Sequence, residues 1–231
     1  MTTPAGPMAA ATRQRRAAVF AIGLGGTFLF IGLSALGWGS WSGLVGHPAR
    51  AGLVALAFVM TLVALASPVN LSSGEREDTR SRLLFVPALA GTLLLCWLLP
   101  YMDRRDLWTL DGDAVRYLGL AILVVGGALR TWPMYVLGGR FSGLVAIQPG
   151  HELVTRGPYR YVRHPSYLGM MLGFVGWALV FRSSVGLVAA ALGLTVLAAR
   201  IESEEALLSA HFGGAYDAYR RRTWRLLPGV Y

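Results

Sequence analysis

Six long apolar runs divide this chain and constrain its fold more than any other feature of the sequence. They cover residues 17–38, 50–67, 83–101, 115–137, 166–181 and 184–201. A helix needs about 20 apolar residues to cross a bilayer. The last two runs are shorter and are separated by Arg182-Ser183-Ser184, which predicts a tight helical hairpin. The pattern predicts an all-α, polytopic integral membrane helical bundle of about six transmembrane helices.

The composition agrees with a membrane protein. Only 14% of the residues are charged and 55% are hydrophobic, and the mean hydropathy is +0.52, whereas soluble domains carry about 25% charged residues. The formal net charge of +9 comes entirely from Arg against Asp and Glu. In a soluble protein such an excess would suggest nucleic acid as a partner. In a membrane protein the positive-inside rule explains it, so we expect contacts with membrane lipids and none with nucleic acid.

The distribution of Arg residues predicts an orientation. With the N-terminus in the cytoplasm, fifteen of the 21 Arg fall on the cytoplasmic side, five fall on the other side and Arg130 lies within a run. This asymmetry favours cytoplasmic termini and places segments 138–165 and 202–231 on the cytoplasmic side, so a site formed by these segments would face the cytoplasm. The bias toward Arg, Ala and Gly also fits a GC-rich bacterial genome. We therefore expect a multi-pass protein of the bacterial inner (cytoplasmic) membrane.

Two polar clusters interrupt the apolar pattern, and both lie on the predicted cytoplasmic side. The first is residues 151–169, HELVTRGPYRYVRHPSYLG, and the second begins at Arg200 and continues through Glu204, Glu205 and His211. On a helix, Arg200 and Glu204 are four residues apart and share a face. A loop that anchors helices to headgroups and an ordinary ion pair are the simplest interpretations. An ionisable group at the end of an apolar run, however, needs a partner or a ligand, which indicates a functional site.

The two clusters together form an ordered pattern. It consists of His151-x-Leu153-Val154-x-x-Gly157-x-Tyr159-x-x-x-Arg163-His164-Pro165-Ser166-Tyr167-x-Gly169, then Glu204-Glu205-x-Leu207, Phe212-Gly213-x-x-Tyr216-x-x-Tyr219 and Arg225-Leu226-Leu227-Pro228. This pattern resembles the isoprenylcysteine carboxyl methyltransferase family and its phospholipid methyltransferase relatives. The resemblance covers residues 115–231, which predicts a methyltransferase-like membrane core there. Residues 1–114 would form three N-terminal spans without a motif.

The resemblance implies a site for S-adenosylmethionine and assigns roles to individual residues. Arg200 would bind the carboxylate of the methyl acceptor. The implied cofactor-binding residues are Gln148, His151, Glu152, Leu153, Val154, Tyr159, His164, Pro165, Ser166, Tyr167 and Glu204. Aromatic faces and carboxylates suit a sulfonium, and the four His residues lack the spacing of a metal site. We therefore expect no metal.

The acceptor is expected to be a lipophilic small molecule or a lipidated substrate. A carboxylate has a pKa near 4, so it is ionised at neutral pH and needs no general base before it attacks a methyl group. A phospholipid amine must first lose a proton and gains nothing from a neighbouring cation. Arg200 therefore favours a carboxylate, although it would equally serve to neutralise Glu204 or the cofactor's own carboxylate.

Three other functions remain open from the sequence. A sterol reductase that uses NADPH also carries an Arg-His-Pro-x-Tyr-x-Gly segment and a terminal Pro-x-x-Tyr, here Pro228 to Tyr231. A phospholipid amine N-methyltransferase would share the cofactor site. A non-catalytic scaffold or transporter would use Arg130 and Glu202 as pathway groups. The sequence leaves the oligomeric state open.

Overall fold

A computed structural model describes residues 7–67, 76–77, 79–138, 146–147 and 153–230 of the chain. The described elements are almost all helical and follow one another in the order α1 (Pro7–Trp38), α2 (Trp41–Val45), α3 (Pro48–Ala66), β1 (Arg76–Glu77), α4 (Thr79–Arg104), α5 (Asp113–Leu137), β2 (Ala146–Ile147), a 3₁₀ helix (Gly157–Arg160), α6 (Pro165–Val180), α7 (Ser184–Phe212) and α8 (Gly214–Arg220). The two short strands pair antiparallel. The predicted all-α membrane bundle is confirmed.

Each predicted apolar run lies on a helix. Within the described part of the chain, five helices are long and apolar enough to cross a membrane: Phe20–Trp38, Pro48–Ala66, Val86–Arg104, Asp113–Leu137 and Ser184–Phe212. Helix α6 is apolar but has only 16 residues, so the count of six spans stays a prediction. Helix α7 has 29 residues, so it continues past the apolar run and carries Glu204 and Glu205 on the same rigid element.

The break between the last two apolar runs has a clear local cause. Arg182 adopts a left-handed backbone conformation with φ of 49°, which stops the preceding helix. Ser183 then caps α7, because its side chain accepts a hydrogen bond from the backbone N–H of Gly186 at 3.1 Å. Ser is a favoured residue at such a position. Helices α6 and α7 are thus joined by a short turn and pack against each other.

Helices α5 and α6 lie unusually close together because glycines face each other along their contact. A Cβ atom on Gly126 would lie 2.8 Å from the carbonyl oxygen of Gly169, and one on Gly176 would lie 2.6 Å from that of Gly119. Small residues allow helix backbones to approach in this way in membranes. The close approach brings the end of α5 beside the start of α6, where the polar loop ends.

The hydrophobic core joins both halves of the sequence. Buried residues from α1 to α4, such as Ile31, Leu53 and Leu99, form one cluster with Trp177 and Phe181 of the α6 region. The single cysteine, Cys96, is buried in the same cluster. The N-terminal helices therefore pack directly on the predicted methyltransferase core, and the division at residue 115 stays a prediction.

A buried ion-pair network ties the helix ends together at one end of the bundle. Asp103, at the end of α4, is 2% exposed. It accepts hydrogen bonds from both terminal nitrogens of Arg116 at 2.5 and 2.9 Å and from Nε of Arg182 at 3.0 Å. Nη1 of Arg50 lies 3.7 Å from Oδ2 of Asp103, and Nε of Arg50 donates a hydrogen bond to the carbonyl oxygen of Leu44. One carboxylate therefore connects the α2–α3 region, α4, α5 and the α6–α7 turn.

Candidate functional site

The opposite end of the bundle holds the polar loop, and the C-terminal segment pairs with it. The backbone N–H of Arg163 donates to the carbonyl oxygen of Trp224 at 2.8 Å, and that of His164 donates to Arg225 at 3.1 Å. The backbone N–H of Trp224 in turn donates to the carbonyl oxygen of Tyr161 at 3.0 Å. Leu226 then inserts into a small apolar cluster with Met171, Leu197 and Ile201. These contacts fix the residue that precedes α6, His164, against the C-terminal segment.

A chain of three polar side chains links α6 to α7. Nε of Arg200 donates a hydrogen bond to the hydroxyl oxygen of Tyr167 at 2.7 Å, and this hydroxyl donates to Oε2 of Glu204 at 2.7 Å. The guanidinium carbon of Arg200 lies 5.7 Å from the centre of the Tyr167 ring. Hydrogen bonds that involve charged groups are the stronger ones in proteins. Tyr167 therefore joins the Arg and the Glu that the sequence places on one helix face.

Glu205, the next residue on α7, is buried and surrounded by cationic groups. Its Oε1 accepts from Nε of Arg163 at 2.7 Å and lies 3.3 Å from Nε2 of His164. Its Oε2 accepts from Nε of Arg225 at 3.1 Å and lies 4.0 Å from Nε of Arg220. Four elements, the loop, α7, α8 and the C-terminal segment, thus meet at one carboxylate.

His164 lies between these two polar groups. Its ring stacks on that of Tyr167, with centroids 5.6 Å apart and an angle of 20° between the planes. Only 5% of His164 is exposed. One edge of the ring meets Glu205 while one face covers Tyr167, so the orientation of this imidazole is tightly defined.

Arg130 near the end of α5 connects the polar site to an apolar cavity. One terminal nitrogen of Arg130 donates to Oγ of Ser166 at 2.6 Å, and Ser166 directly precedes Tyr167 on α6. Arg130 also lines a cavity of about 330 Å³, whose remaining lining is almost entirely apolar and comes from α1, α3, α4, α5 and α6. This volume is within the range of small-molecule pockets. The site therefore has a polar end at α6–α7 and an apolar space that adjoins it.

Tyr159 in the 3₁₀ helix is buried, and its backbone carbonyl accepts a hydrogen bond from the hydroxyl of Tyr219 at 2.8 Å. Burial raises the pKa of Tyr159 above its ordinary value, and the nearby negative charge of Glu204 raises it further. The hydroxyl stays protonated at neutral pH, so it is available as a hydrogen-bond donor and not as a base.

The structure brings most of the described sequence-predicted residues to one place. Tyr167 contacts His164, Arg200 and Glu204 directly, and Ser166 precedes Tyr167 on α6. Pro165 is fully buried at the first turn of α6, where proline is favoured. Leu153 and Val154 are half-buried loop residues, and their predicted role stays a prediction. Gln148, His151 and Glu152 lie outside the described residues.

Two residues outside the sequence-predicted set are prominent in the site. The sequence identifies Arg130 as an ionisable group within a span, which is itself a sign of function, and gives it a role only in the alternative of a scaffold or transporter. It identifies Glu205 only as part of a motif, and the position beside Glu204 gives no hint of the partners of Glu205. Within the described residues, no group of three or more His, Cys, Asp or Glu side chains is placed to hold a metal ion, and the expected lack of a metal stays a prediction.

Comparisons with known proteins agree on one family. The model of the isoprenylcysteine carboxyl methyltransferase (ICMT) family matches residues 118–210. The chain is 30% identical over 167 residues to the protein-S-isoprenylcysteine O-methyltransferase of Dictyostelium discoideum. The aligned segment covers 71% of this chain and 70% of that protein. It is 36% identical over 168 residues to protein-S-isoprenylcysteine O-methyltransferase A of Arabidopsis thaliana. That aligned segment covers 68% of this chain and 82% of that protein.

The fold is also similar to that of a solved structure. The eukaryotic intramembrane Ras methyltransferase ICMT superimposes with a TM-score of 0.60 over 91% of this chain and 76% of that chain, at 21% sequence identity. The similarity in fold extends beyond the segment matched by the family model and includes the N-terminal helices. Sequence and fold agree that this chain belongs to the isoprenylcysteine carboxyl methyltransferase family, a family of membrane carboxyl O-methyltransferases.

Proposed function

We propose that this protein transfers the methyl group of S-adenosylmethionine to the carboxylate of a lipophilic acceptor that is held in the membrane, such as an isoprenylated cysteine. One observation carries the proposal. The polar chain Arg200–Tyr167–Glu204 lies one residue along α6 from Ser166, whose partner Arg130 lines an apolar cavity. A carboxylate with an apolar tail needs both environments side by side.

The side chains at the polar end suit S-adenosylmethionine. Glu204 offers carboxylate oxygens to an ammonium or to ribose hydroxyls, and the stacked rings of His164 and Tyr167 offer aromatic surface. Aromatic faces attract cations such as a sulfonium. When bound, the cofactor supplies an electrophilic methyl group. We assign its binding to Tyr159, His164, Pro165, Ser166, Tyr167 and Glu204, together with Leu153 and Val154 of the adjoining loop.

Arg200 is assigned to the acceptor. A planar guanidinium binds a carboxylate through two parallel contacts, which fixes the direction of the carboxylate oxygen as well as its position. Because the carboxylate is ionised at neutral pH, the protein has no proton to remove before the transfer. Its main contribution is to hold the attacking oxygen in line with the methyl group. The apolar cavity beside Arg130 then holds the tail of the acceptor and excludes water.

The alternatives raised by the sequence have no support from the relatives. The matched family is a carboxyl methyltransferase family by name, and the relatives from Dictyostelium discoideum and Arabidopsis thaliana are protein-S-isoprenylcysteine O-methyltransferases by name. None of these names is that of a sterol reductase or a phospholipid N-methyltransferase. Both relatives are eukaryotic, so they do not support the predicted bacterial inner membrane. We keep the cytoplasmic orientation of the site as part of the proposal, on the basis of the Arg asymmetry.

A single assay separates the proposed reaction from its alternatives. Purified protein in detergent is incubated with S-adenosylmethionine labelled in its methyl group and with N-acetyl-S-farnesylcysteine. The product is then treated with base, because a methyl ester releases labelled methanol whereas an N-methylated amine does not. Glu204→Gln is tested beside Glu202→Gln, which makes the same change at an exposed position on the same helix.

We expect base-labile product with the wild type and with Glu202→Gln, and a loss of at least about tenfold with Glu204→Gln. A labelled product that resists base would contradict the carboxylate acceptor. If the wild type bound S-adenosylhomocysteine but methylated no isoprenylated cysteine, the assignment of the cofactor would be supported and the assignment of the acceptor would be wrong. Failure of the wild type to bind S-adenosylhomocysteine would refute the proposed reaction itself.

A further inference from the structure

Glu205 is the most highly coordinated acidic side chain at the cofactor end of the described structure, and it contacts His164 directly. Only 4% of Glu205 is exposed. Its two oxygens are shared between the loop residues Arg163 and His164 on one side and the C-terminal Arg225 on the other. Its neighbour Glu204 points to a different partner, Tyr167. The two adjacent carboxylates therefore have different structural tasks.

The charge state of Glu205 determines where His164 carries its proton. Three guanidinium groups lie within 4.0 Å of the carboxylate, and such neighbours favour the ionised form. An ionised carboxylate has no hydrogen to donate, so the atom that faces it, Nε2 of His164 at 3.3 Å, must be the donor. In a neutral imidazole the other nitrogen, Nδ1, is then an acceptor.

We propose that Glu205 is a positioning residue for the cofactor: it holds the proton of His164 on Nε2 and so presents Nδ1 as an acceptor to a hydrogen-bond donor of S-adenosylmethionine. The inference rests on the proposed function, since it deepens the role of the same site. The stacking of His164 on Tyr167 keeps the ring in its plane, and Glu205 determines which edge of the ring carries the proton. The hydrogen bond made by one nitrogen of a histidine ring determines which nitrogen carries the proton.

A purely structural role for Glu205 makes a different prediction, because Glu205 also binds the C-terminal segment through Arg225. Arg225→Gln removes that link and leaves the contact with His164 in place. We therefore compare the affinity of Glu205→Gln and Arg225→Gln for S-adenosylhomocysteine by calorimetry in detergent. Positioning predicts a loss of about tenfold or more for Glu205→Gln and a loss of less than about threefold for Arg225→Gln. Equal losses in both variants would mean that Glu205 acts only by docking the C-terminal segment.

Two substitutions of His164 test which ring nitrogen meets the cofactor. An Asn amide oxygen can occupy the position of Nδ1, whereas the longer Gln reaches the position of Nε2. We expect His164→Asn to retain at least about tenfold more affinity for S-adenosylhomocysteine than His164→Gln does, since only Asn keeps the acceptor. The opposite order would overturn the assignment of Nδ1 as the atom that meets the cofactor.

The tautomer itself is open to measurement in the wild type, and a variant is needed only to assign the signal. The chain has only four His residues, so selective ¹⁵N labelling of histidine gives a simple NMR spectrum, and the signal of His164 is identified by its loss in His164→Asn. We expect a neutral ring with the proton on Nε2. A proton on Nδ1 would refute the proposal even if the wild type bound the cofactor analogue normally. If instead the tautomer were as expected but the wild type did not bind S-adenosylhomocysteine, the proposed function would be refuted, and the cofactor role of His164 with it.

Discussion

The hydroxyl group of Tyr167 donates a hydrogen bond to Oε2 of Glu204 over 2.7 Å. The oxygen of that hydroxyl group also accepts a hydrogen bond from Nε of Arg200 at 2.7 Å. Arg200 and Glu204 are one helical turn apart on α7, so a direct i,i+4 ion pair is the arrangement that helix geometry alone would suggest. Instead, a tyrosine from another helix lies between them. This arrangement couples the residue assigned to the acceptor with the residue assigned to the cofactor.

Tyr167→Phe removes this coupling without changing the size of the ring. We expect the affinity for S-adenosylhomocysteine to fall about 5- to 30-fold, because hydrogen bonds to two charged groups are lost. Calorimetry on the purified protein measures the change. The matched control is Tyr135→Phe, since the hydroxyl of Tyr135 donates to the carbonyl oxygen of Val63 on α3 at 2.8 Å. Comparable affinity in the two variants would show that the Tyr167 hydroxyl does not contribute to cofactor binding.

Arg200 variants distinguish the acceptor role from a role in balancing Glu204. Arg200→Lys keeps the charge but loses the planar two-point contact, so we expect near-normal affinity for S-adenosylhomocysteine and strongly reduced turnover. Lost alignment appears mainly in the rate of transfer. If Arg200 only balances Glu204, then Lys should substitute well, and Arg200→Ala should weaken cofactor binding as much as Glu204→Gln does. Binding and turnover measured on all three variants decide between the two roles.

Much of the helical framework could be predicted because the bilayer leaves few choices. Apolar runs in lipid must satisfy their backbone hydrogen bonds internally, so they form helices. The turn after α6 was also predictable, since Arg182 and Ser183 interrupt the apolar pattern, and Ser183 does cap the next helix. The motif around His164 and Tyr167 predicted a site near the start of α6. In the structure, His164 and Tyr167 stack on each other, and Tyr167 bonds Arg200 and Glu204 of the second polar cluster.

The partners of the polar residues could not be predicted, because they depend on how the helices pack. Arg130 meets Ser166, 36 residues later, only because glycines allow α5 and α6 to lie close together. Glu205 meets Arg163, 42 residues earlier, through the pairing of the loop with the C-terminal segment. Helical periodicity identifies neighbours within about one turn. It contains no information on which distant side chain will lie opposite.

Topology gives a prediction that has structural support beyond Arg counting. Positions 45, 108 and 182 lie at or beside helix ends that contact one another. Asp103 pairs with Arg50 and Arg182, and the backbone N–H of Ser184 donates a hydrogen bond to the carbonyl oxygen of Trp108. They must therefore lie on the same side of the membrane. Reporter fusions at residues 45 and 108 should both give a non-cytoplasmic signal. A cytoplasmic signal at either position would overturn the predicted orientation.

Asp103→Asn tests whether the buried network stabilises the bundle independently of the site. Asn preserves the shape of the side chain but removes its charge, which leaves Arg50, Arg116 and Arg182 without the carboxylate they share. Removing one partner of a buried ion pair typically costs about 3–5 kcal/mol, so we expect a clearly lower thermal midpoint in detergent. The affinity of the remaining folded protein for S-adenosylhomocysteine should be unchanged, because the network lies at the other end of the bundle.

The control for Asp103→Asn is Asp111→Asn, which makes the same change at an exposed position on the same side of the bundle. Equal thermal midpoints for the two variants would show that the network contributes little to stability. Loss of cofactor affinity in folded Asp103→Asn would instead show that the two ends of the bundle are coupled, because the substituted carboxylate has no contact with the residues assigned to the cofactor.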